Sequence, residues 1–454
     1  MGSNFKSGKF SRFAKLGSTL VKAGGQVALD LAKDRAQNLI NKSEKAQSYQ
    51  HRINAAKEII KTMGELKGAM MKLGQMISIT EDLLLPPEIS ALFKELQKNS
   101  PSMTREDLLK VFHDNFEKTP EELFQQFDYD SIAAASIGQV HRAVLPTGEV
   151  VAIKVQYPEI VTAIKNDFKN LDQLNVLLSS LIPGRPDIGN MVEELKRSLL
   201  EECDYHKEAE YLELFRTGLA QEFPDLYIPK VYPEFSTENI LTMEFRAGEP
   251  IEKAINFSQE ERNHLGQLLY DSHLYALYKL KRIHSDPQNG NYLFQKGAVT
   301  LLDFGSTRAF SDEFMIDFVA MILALEQDHY QIYTELMQKM DFFRDDDEVE
   351  LKERHFELVK KLYLPFCRPG KYYPETDNPF SMVGDFIKGI RFKGRKAPRE
   401  EFLLLDRAHL GLFTKVRHLR AEVDWQKNSI IYRKHWEELA LEKYPDLENV
   451  DLSK

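Results

Sequence analysis

The stretch that decides the fold is "IHSDPQNGNYLF" at residues 283–294. Asp286 can accept a proton or orient a nucleophile, and Asn291, five residues later, can bring its amide oxygen to a metal ion. A short apolar segment follows at once. Two interpretations are open on this stretch alone: a catalytic loop for phosphoryl transfer, or an ordinary polar turn between two packed segments.

A second motif, "VTLLDFGS" at residues 299–306, favours the catalytic interpretation. Asp303 leaves an apolar strand, and Gly305 permits the sharp turn that follows. A carboxylate at such a place would bind magnesium directly. The Asp-Phe-Gly tripeptide at residues 303–305 is short enough to recur by chance. Its position shortly after Asp286, with a strand-turn-strand pattern between, makes the motif much more specific.

The third element is Lys154 in "VVAIKVQY", residues 150–157. A lysine within an apolar strand is costly to bury, so it should point to a polar partner, and a phosphate together with a helix carboxylate is the natural pair. The alternative for this residue is an edge-strand lysine that faces water. Together Lys154, Asp286, Asn291 and Asp303 form an ordered set for phosphoryl transfer from ATP with Mg²⁺. Residues 283–294 are therefore predicted to be a catalytic loop.

Composition narrows the class of protein. The chain has 454 residues, enough for two or three domains, and its net charge of −10 argues against a nucleic-acid binder. Two cysteines are too few for a disulfide framework or a cysteine-based zinc site, which indicates a reducing compartment such as the cytoplasm. The most apolar run, "FVAMILAL" at residues 318–325, is too short to cross a bilayer.

The N-terminus differs from the rest of the chain, because five basic residues precede the first acid, Asp30. Phe10, Phe13, Leu16 and Leu20 lie among them at helical spacing. Three interpretations remain open: a basic amphipathic helix on an anionic membrane surface, a transit peptide that would direct the protein to the mitochondrial matrix, or a solvated, frayed terminus.

Element patterns predict an α+β protein of four segments. These are a basic amphipathic N-terminal segment (1–45), a helical extension (46–127), a small β-sheet lobe (128–245) and a mostly helical lobe (246–454). Residues 131–157 alternate between apolar and polar side chains and are predicted to form two or three antiparallel strands, with a turn at residues 146–148. Further predicted elements are a helix capped by Thr104, strands at residues 227–235 and 240–245, and one long charged helix at residues 191–221.

The motifs resemble those of UbiB-like atypical kinases, also called AarF-domain kinases, from about Glu65 to Phe310. Members carry a Lys-x-Gly-Gln signature, present here as Lys72, Gly74 and Gln75. The resemblance implies a bilobal protein-kinase-like fold in which the Lys72 helix packs across the active site. It also implies an alanine-rich nucleotide loop and a Glu-x-Asp signature. The loop residues are Ala133, Ala134, Ala135, Ser136, Ile137, Gly138, Gln139 and Val140, and the signature acids are Glu202 and Asp204.

The acids of the Glu-x-Asp helix offer partners for two lysines. Asp204 and Glu208 are four residues apart and would share a helix face, whereas Glu202 would point away. Glu208 is favoured as the partner of Lys154, with Glu202 and Asp204 engaging the Lys72 helix, although the sequence does not settle this assignment. In the loop, three consecutive alanines restrict backbone angles, and Gly138 alone keeps the freedom that glycine-rich phosphate loops use.

Two departures from ordinary protein kinases concern the substrate. Ser285 stands where those enzymes usually have arginine, and no Ala-Pro-Glu motif follows Asp303. The resemblance implies an ATPase-like role that supports isoprenoid quinone biosynthesis at a membrane surface, with an isoprenoid lipid or quinone precursor as partner. Glu244 and Phe245 lie where a kinase hinge would present backbone groups to adenine.

Two other functional classes remain open. One is a nucleotide-gated binding module, in which ATP moves the Lys72 helix over a lipid or protein and hydrolysis is incidental. The other is a small-molecule kinase like the aminoglycoside phosphotransferases, which share the His-x-Asp loop but lack the Lys72 helix and the alanine loop. The role of residues 342–454 stays open; residues 341–363 are predicted to form a solvated amphipathic helix, in which nothing suggests chemistry.

Overall fold

The computed structural model describes most of the chain from residue 103 onward. It covers residues 103–162 apart from 136, residue 164, residues 196–286 apart from 198, and residues 288–367, 371–372 and 399–447. The predicted segment 1–45 and most of the helical extension lie outside these residues. Lys72, Gln75 and Ser136 lie outside them as well.

The first lobe is a small antiparallel sheet with helices beside it. Its elements are α1 Arg105–Phe116, α2 Pro120–Leu123, β1 Gln126–Phe127, β2 Ala133–Ala135, β3 Gly138–Val144, β4 Val150–Gln156, α3 Tyr205–Leu219 and β6 Ile240–Glu244. Strand β5, Leu226–Tyr227, lies between α3 and β6 in the chain but pairs in parallel with Val299 and Thr300 of the second lobe. The strand order is β1-β3-β4-β6, and β2 pairs with the first residues of β3 whereas β1 pairs with its last residues. The antiparallel strands and the hairpin turn predicted for residues 131–157 are thus present, with Leu145 accepting a hydrogen bond from Gly148 N at 2.9 Å.

Helix α1 covers one face of this sheet. Thr104 is its N-cap, as the sequence predicted, because the hydroxyl accepts a hydrogen bond from Asp107 N. Leu108 and Phe112 are almost fully buried and belong to the same apolar cluster as Ile153. Residues alternate across a strand, so the opposite face of β4 is left for Lys154.

Gly138 is required for close approach between strands rather than for backbone freedom. Its φ is not in the left-handed region, and a Cβ at this position would lie 2.1 Å from the carbonyl oxygen of Val155 on β4. The sequence-based expectation that Gly138 supplies flexibility to the loop is therefore wrong. Tight pairing of β3 with β4 is what excludes a side chain here.

We expect Gly138→Ala to lower the free energy of unfolding by roughly 3 kcal/mol, because a new methyl group would meet backbone atoms that cannot move aside. Urea unfolding followed by circular dichroism measures this. Gly290→Ala is the matched control, since its Cβ would meet only Gln288 Nε2 at 3.7 Å. Equal midpoints for the two variants would contradict this account.

The second lobe is mostly helical. Its elements are α4 Ile251–Ala254, α5 Gln259–Tyr275, β7 Arg282–His284, β8 Tyr292–Gln295, β9 Ala298–Leu301, β10 Thr307–Ala309, α6 Asp312–Glu326, α7 Tyr330–Lys339, α8 Val349–Cys367, β11 Lys371–Tyr372, α9 Glu400–His418, β12 Val423–Asp424 and α10 Lys427–Lys443. Small antiparallel ladders, β7 with β10 and β8 with β9, hold the two loops that carry the sequence motifs. The α+β, bilobal arrangement predicted from the sequence is confirmed.

Helix α6 is the centre of this lobe. Phe318, Val319, Ala320 and Met321 have no exposed surface, so the helix is buried on all sides. The apolar run at residues 318–325 is therefore core rather than lipid-facing. Within the described residues, no helix combines the length and the apolarity that a membrane crossing needs.

Two sequence-based element predictions are wrong. The strand expected at residues 227–235 is reduced to the end of β5 and a single bridge at Val231, because Pro233–Phe235 forms a 3₁₀ turn instead. The single helix expected at residues 191–221 is interrupted at Asp204, which caps α3 by accepting a hydrogen bond from Lys207 N.

A π-helix, Ala276–Leu280, joins α5 to the catalytic loop. Lys281 N donates to the carbonyl of Ala276, five residues earlier as in a π-helix, and Lys281 then turns the chain through a left-handed conformation with φ of 51°. The indole of Trp436 on α10 donates a hydrogen bond to the carbonyl of Tyr278 at 2.7 Å. The C-terminal helix thus supports the backbone that leads into β7.

Candidate active site

Lys154 stands at the centre of the site and is 5% exposed. Its ammonium donates hydrogen bonds to both carboxylate oxygens of Glu208, at 2.6 and 2.9 Å, and to Asp303 Oδ2 at 3.0 Å. The lysine therefore does not face water, and Glu208 is the helix acid that pairs with it. One cation from β4, one acid from α3 and one acid from the loop after β9 meet at a single point.

The three charges shift one another's protonation. Burial disfavours the charged form of Lys154, but Asp303 and Glu208 outweigh it and hold the lysine's pKa well above its usual value. Burial, with the like charge of Asp303, raises the pKa of Glu208 to about 7. Burial also acts to raise the pKa of Asp303, yet Lys154 outweighs it and the pKa lies below its usual value. Asp303 thus keeps its charge, and Glu208 is the acid that responds first as pH falls.

The structure reverses the predicted positions of the two signature acids relative to Glu208. Glu202 is 7% exposed and lines the same small cavity as Lys154, Glu208 and Asp303, so it does not point away from Glu208. Asp204 is exposed at the start of α3 and does not line that cavity. The reason is the cap at Asp204, which breaks the helix and removes the face that an unbroken helix would give it.

The catalytic loop and the Asp-Phe-Gly loop are joined backbone to backbone. His284 pairs with Thr307 in the β7–β10 ladder, and Ser285 N donates to Ser306 O at 2.8 Å. The Ser285 hydroxyl bonds to Ser306 as well, and His284 Nε2 contacts the carbonyl oxygen of Asp303. These contacts fix the position of Asp303 relative to the catalytic loop.

The two predicted metal ligands are brought side by side. Tyr292 pairs with Leu301 in the β8–β9 hairpin, and Leu302 N donates to the carbonyl of Asn291 at 3.0 Å. Asn291 and Asp303 therefore leave the same end of one hairpin. The Asn291 amide nitrogen is directed to the carbonyl of Asp286 at 3.4 Å, and Asp303 Oδ1 accepts from Gly305 N at 3.1 Å. One amide and one carboxylate are hard oxygen donors, so this pair fits Mg²⁺.

The alanine loop is split between two faces. Ala135 and Ile137 line the cavity beside Lys154, and Ala133 and Ala134 are exposed. Val140 pairs directly with Lys154 and so shares its face of the sheet. Gln139 lies on the opposite face, where its side chain accepts from Met103 N at 3.0 Å and bonds to His141. The side chain of Gln139 is therefore not part of the cavity.

The predicted hinge donors are already engaged. Glu244 N donates to Lys230 O at 2.8 Å, and Phe245 N donates to Val150 O at 3.1 Å. The Glu244 carboxylate pairs with Arg246 at 2.9 Å. In this arrangement an adenine contact at the hinge must use groups other than these two N–H donors.

Sequence reasoning missed two cations on α9. Arg407 Nη2 lies 3.7 Å from Asp286 Oδ1, with both side chains largely buried. Lys415 is 1% exposed, and its ammonium lies 4.2 Å from the centre of the Tyr292 ring. Burial lowers the pKa of Lys415 to about 7, although the charge of Asp286 acts in the opposite direction. The sequence signal that could have indicated them is the placement of Arg407 and Lys415, eight residues apart, among the apolar residues of this helix.

The sequence is similar to a known family of atypical kinases and to several of its members. A family model described as the ABC1 atypical kinase-like domain matches residues 95–337. The chain is similar to Atypical kinase COQ8B, mitochondrial, of Rattus norvegicus, with 28% identity over 91% of this chain and 78% of the relative. It is similar to Atypical kinase COQ8, mitochondrial, of Saccharomyces cerevisiae, with 30% identity over 81% of this chain and 74% of the relative.

A solved structure gives the same fold. The Mycobacterium tuberculosis protein Rv3197, determined in complex with erythromycin, is similar over 86% of this chain and 98% of its own, with a TM-score of 0.57 and 24% identity. This likeness concerns the path of the backbone alone.

Proposed function

Because this chain belongs to the ABC1 atypical kinase-like family, the UbiB-like group that its motifs resemble, we propose that it is an ATP- and magnesium-dependent atypical kinase or ATPase. The observation that carries the proposal is the buried Lys154 held between Glu208 and Asp303. A lysine that binds phosphates needs a fixed orientation and an assured positive charge, and the two carboxylates supply both.

Each residue has a defined role in this proposal. Lys154 binds the α- and β-phosphates, and Asn291 with Asp303 holds Mg²⁺. When bound, magnesium neutralises negative charge on the phosphates. Asp286 orients the attacking water or hydroxyl and accepts its proton. With water as acceptor, an oxygen–phosphorus bond forms as the bond to the ADP oxygen breaks, and the products are ADP and inorganic phosphate.

Several of the other predicted site residues would surround this centre. Ala135, Ile137 and Gly138 would cover the nucleotide phosphates, and Glu202 would contribute a further charge beside Asp303. The Lys72 and Gln75 helix of the predicted extension 46–127 would close the front of the site in place of a protein substrate. The predicted lobes, residues 128–245 and 246–454, would divide between residues 245 and 246, and the first lobe would also take in residues 105–127 of the predicted extension.

We extend the proposal to the cellular role. The relatives' names and the family resemblance favour support of isoprenoid quinone biosynthesis at a membrane surface, with an isoprenoid lipid or quinone precursor as partner. The mitochondrial relatives favour the matrix, with residues 1–45 as a transit or membrane-surface segment.

The test is ATP hydrolysis by the purified chain with and without Mg²⁺, and with and without anionic liposomes. We expect turnover that requires magnesium and rises on liposomes, because an anionic surface attracts the basic N-terminal segment. Neutral liposomes of the same acyl composition are the control. Tight ATP binding without turnover under every condition would contradict the enzyme and support the nucleotide-gated binding module.

A further inference from the structure

The catalytic loop carries no permanent positive charge of its own. Between His284 and Phe294 the sequence has neither lysine nor arginine, and Ser285 is committed to hydrogen bonds with Ser306. On the opposite side, Lys154 is shared by Glu208 and Asp303. A site that receives the negative charge of ATP needs cations near Asp286 as well.

Helix α9 supplies them. Arg407 approaches the Asp286 carboxylate to 3.7 Å, with the arginine side chain 17% and the aspartate side chain 9% exposed. Lys415, further along the same helix, lies against Tyr292 of β8, the residue after Asn291. Helix α9 therefore places one cation at Asp286 and a second at Tyr292, both on the same side of the catalytic loop.

Helix α9 is held firmly in this position. Leu405 and Val416 are fully buried in the same core cluster as α6. The hydroxyl of Tyr363 on α8 donates to Asp406 Oδ1 at 3.1 Å, one residue before Arg407. The helix lies beyond the region that the family model matches, residues 95–337.

We infer that α9 belongs to the catalytic site, and that Arg407 is a positioning residue that holds the Asp286 carboxylate towards the acceptor. The inference rests on the proposed function, because it assigns a partner to the residue that orients the nucleophile. A separation of 3.7 Å allows an ionic contact that can shorten when substrate is bound. The other titratable groups that face Asp286 are His284, Tyr292, Asp303 and Lys415.

The test compares Arg407→Ala, Arg407→Lys and the control Arg417→Ala, an exposed arginine on the same helix. For each variant we would measure kcat and KM for ATP, the Kd of Mg·ATP by calorimetry, and Tm. We expect Arg407→Ala to lower kcat by about 100-fold while the Kd changes less than about twofold, because orientation rather than nucleotide binding is lost. Arg407→Lys should lie between the wild type and Arg407→Ala.

Added guanidinium at millimolar concentration separates positioning from a structural role. It should restore part of the kcat of Arg407→Ala and leave Asp286→Asn inactive, because only the first variant has a vacancy for a cation. If wild-type protein turns over ATP and Arg407→Ala keeps kcat within about threefold of it, the inference is wrong and the proposed function stands. A lower Tm with no recovery by guanidinium or lysine would also overturn it. Absence of turnover in the wild type would overturn both.

Discussion

We expect Asp303→Asn to abolish magnesium-dependent ATP turnover, with a fall in kcat of at least about 1,000-fold. Asp303 is the carboxylate that leaves the β8–β9 hairpin beside Asn291, and an amide cannot replace its charge. The change also removes one of the two carboxylates that orient Lys154. Metal binding and phosphate binding are therefore weakened by one substitution.

The measurement is ADP release over a magnesium titration, together with the Kd of ATP with and without magnesium. In the wild type magnesium should tighten ATP binding, and in Asp303→Asn this effect should be lost. Asp346→Asn, at an exposed site outside the cavity, is the control and should behave as the wild type. Retained activity in Asp303→Asn would show that the metal ligands are assigned to the wrong residues.

Lys154→Met is expected to lower the free energy of unfolding at pH 8 by roughly 3–5 kcal/mol and to remove activity, because it leaves the buried Glu208 and the partly exposed Asp303 without their cation. Two like charges then face each other in a water-poor site. Adding Glu208→Gln should return most of the stability and none of the activity, because it removes the surplus charge but not the need for a phosphate-binding lysine.

Urea unfolding of the two variants and the wild type measures this effect, and an ATPase assay accompanies it. Lys230→Met is the control, since Lys230 is exposed near the same sheet, and its midpoint should match the wild type. A double variant no more stable than Lys154→Met would mean that Glu208 is not the source of the instability.

The sequence alone predicted the residues whose chemistry lies in short, local motifs. Lys154, Asp286, Asn291 and Asp303 each stand on a strand end or a loop whose pattern is visible within ten residues. The hydrogen-bonded ladders β7–β10 and β8–β9 then bring three of them together, because the segments that carry them are close in the chain. The choice of Glu208 for Lys154 was also within reach, since it required only one helix face.

The errors arose where a tertiary contact overrode a local pattern. Asp204 was placed on a helix face, but its side chain caps the helix instead, and Glu202 occupies the cavity. Gly138 was interpreted through its backbone freedom, although its neighbour Val155 is the reason for it. Arg407 contacts Asp286 only after α9 has packed against the rest of the second lobe, and no motif near either residue predicts this contact.

The π-helix that Trp436 supports has a consequence for synthesis of the chain. The predicted catalytic motifs of the two lobes have all been synthesised by residue 306, well before α9 and α10. The contacts of Trp436 with the carbonyl of Tyr278 and of Arg407 with the carboxylate of Asp286 can form only after those later helices have been synthesised. Contacts of such sequence separation form late in folding. A nascent chain therefore contains the motifs at residues 150–157, 283–294 and 299–306 before these supports are made, and the site is complete only after α9 and α10 have docked.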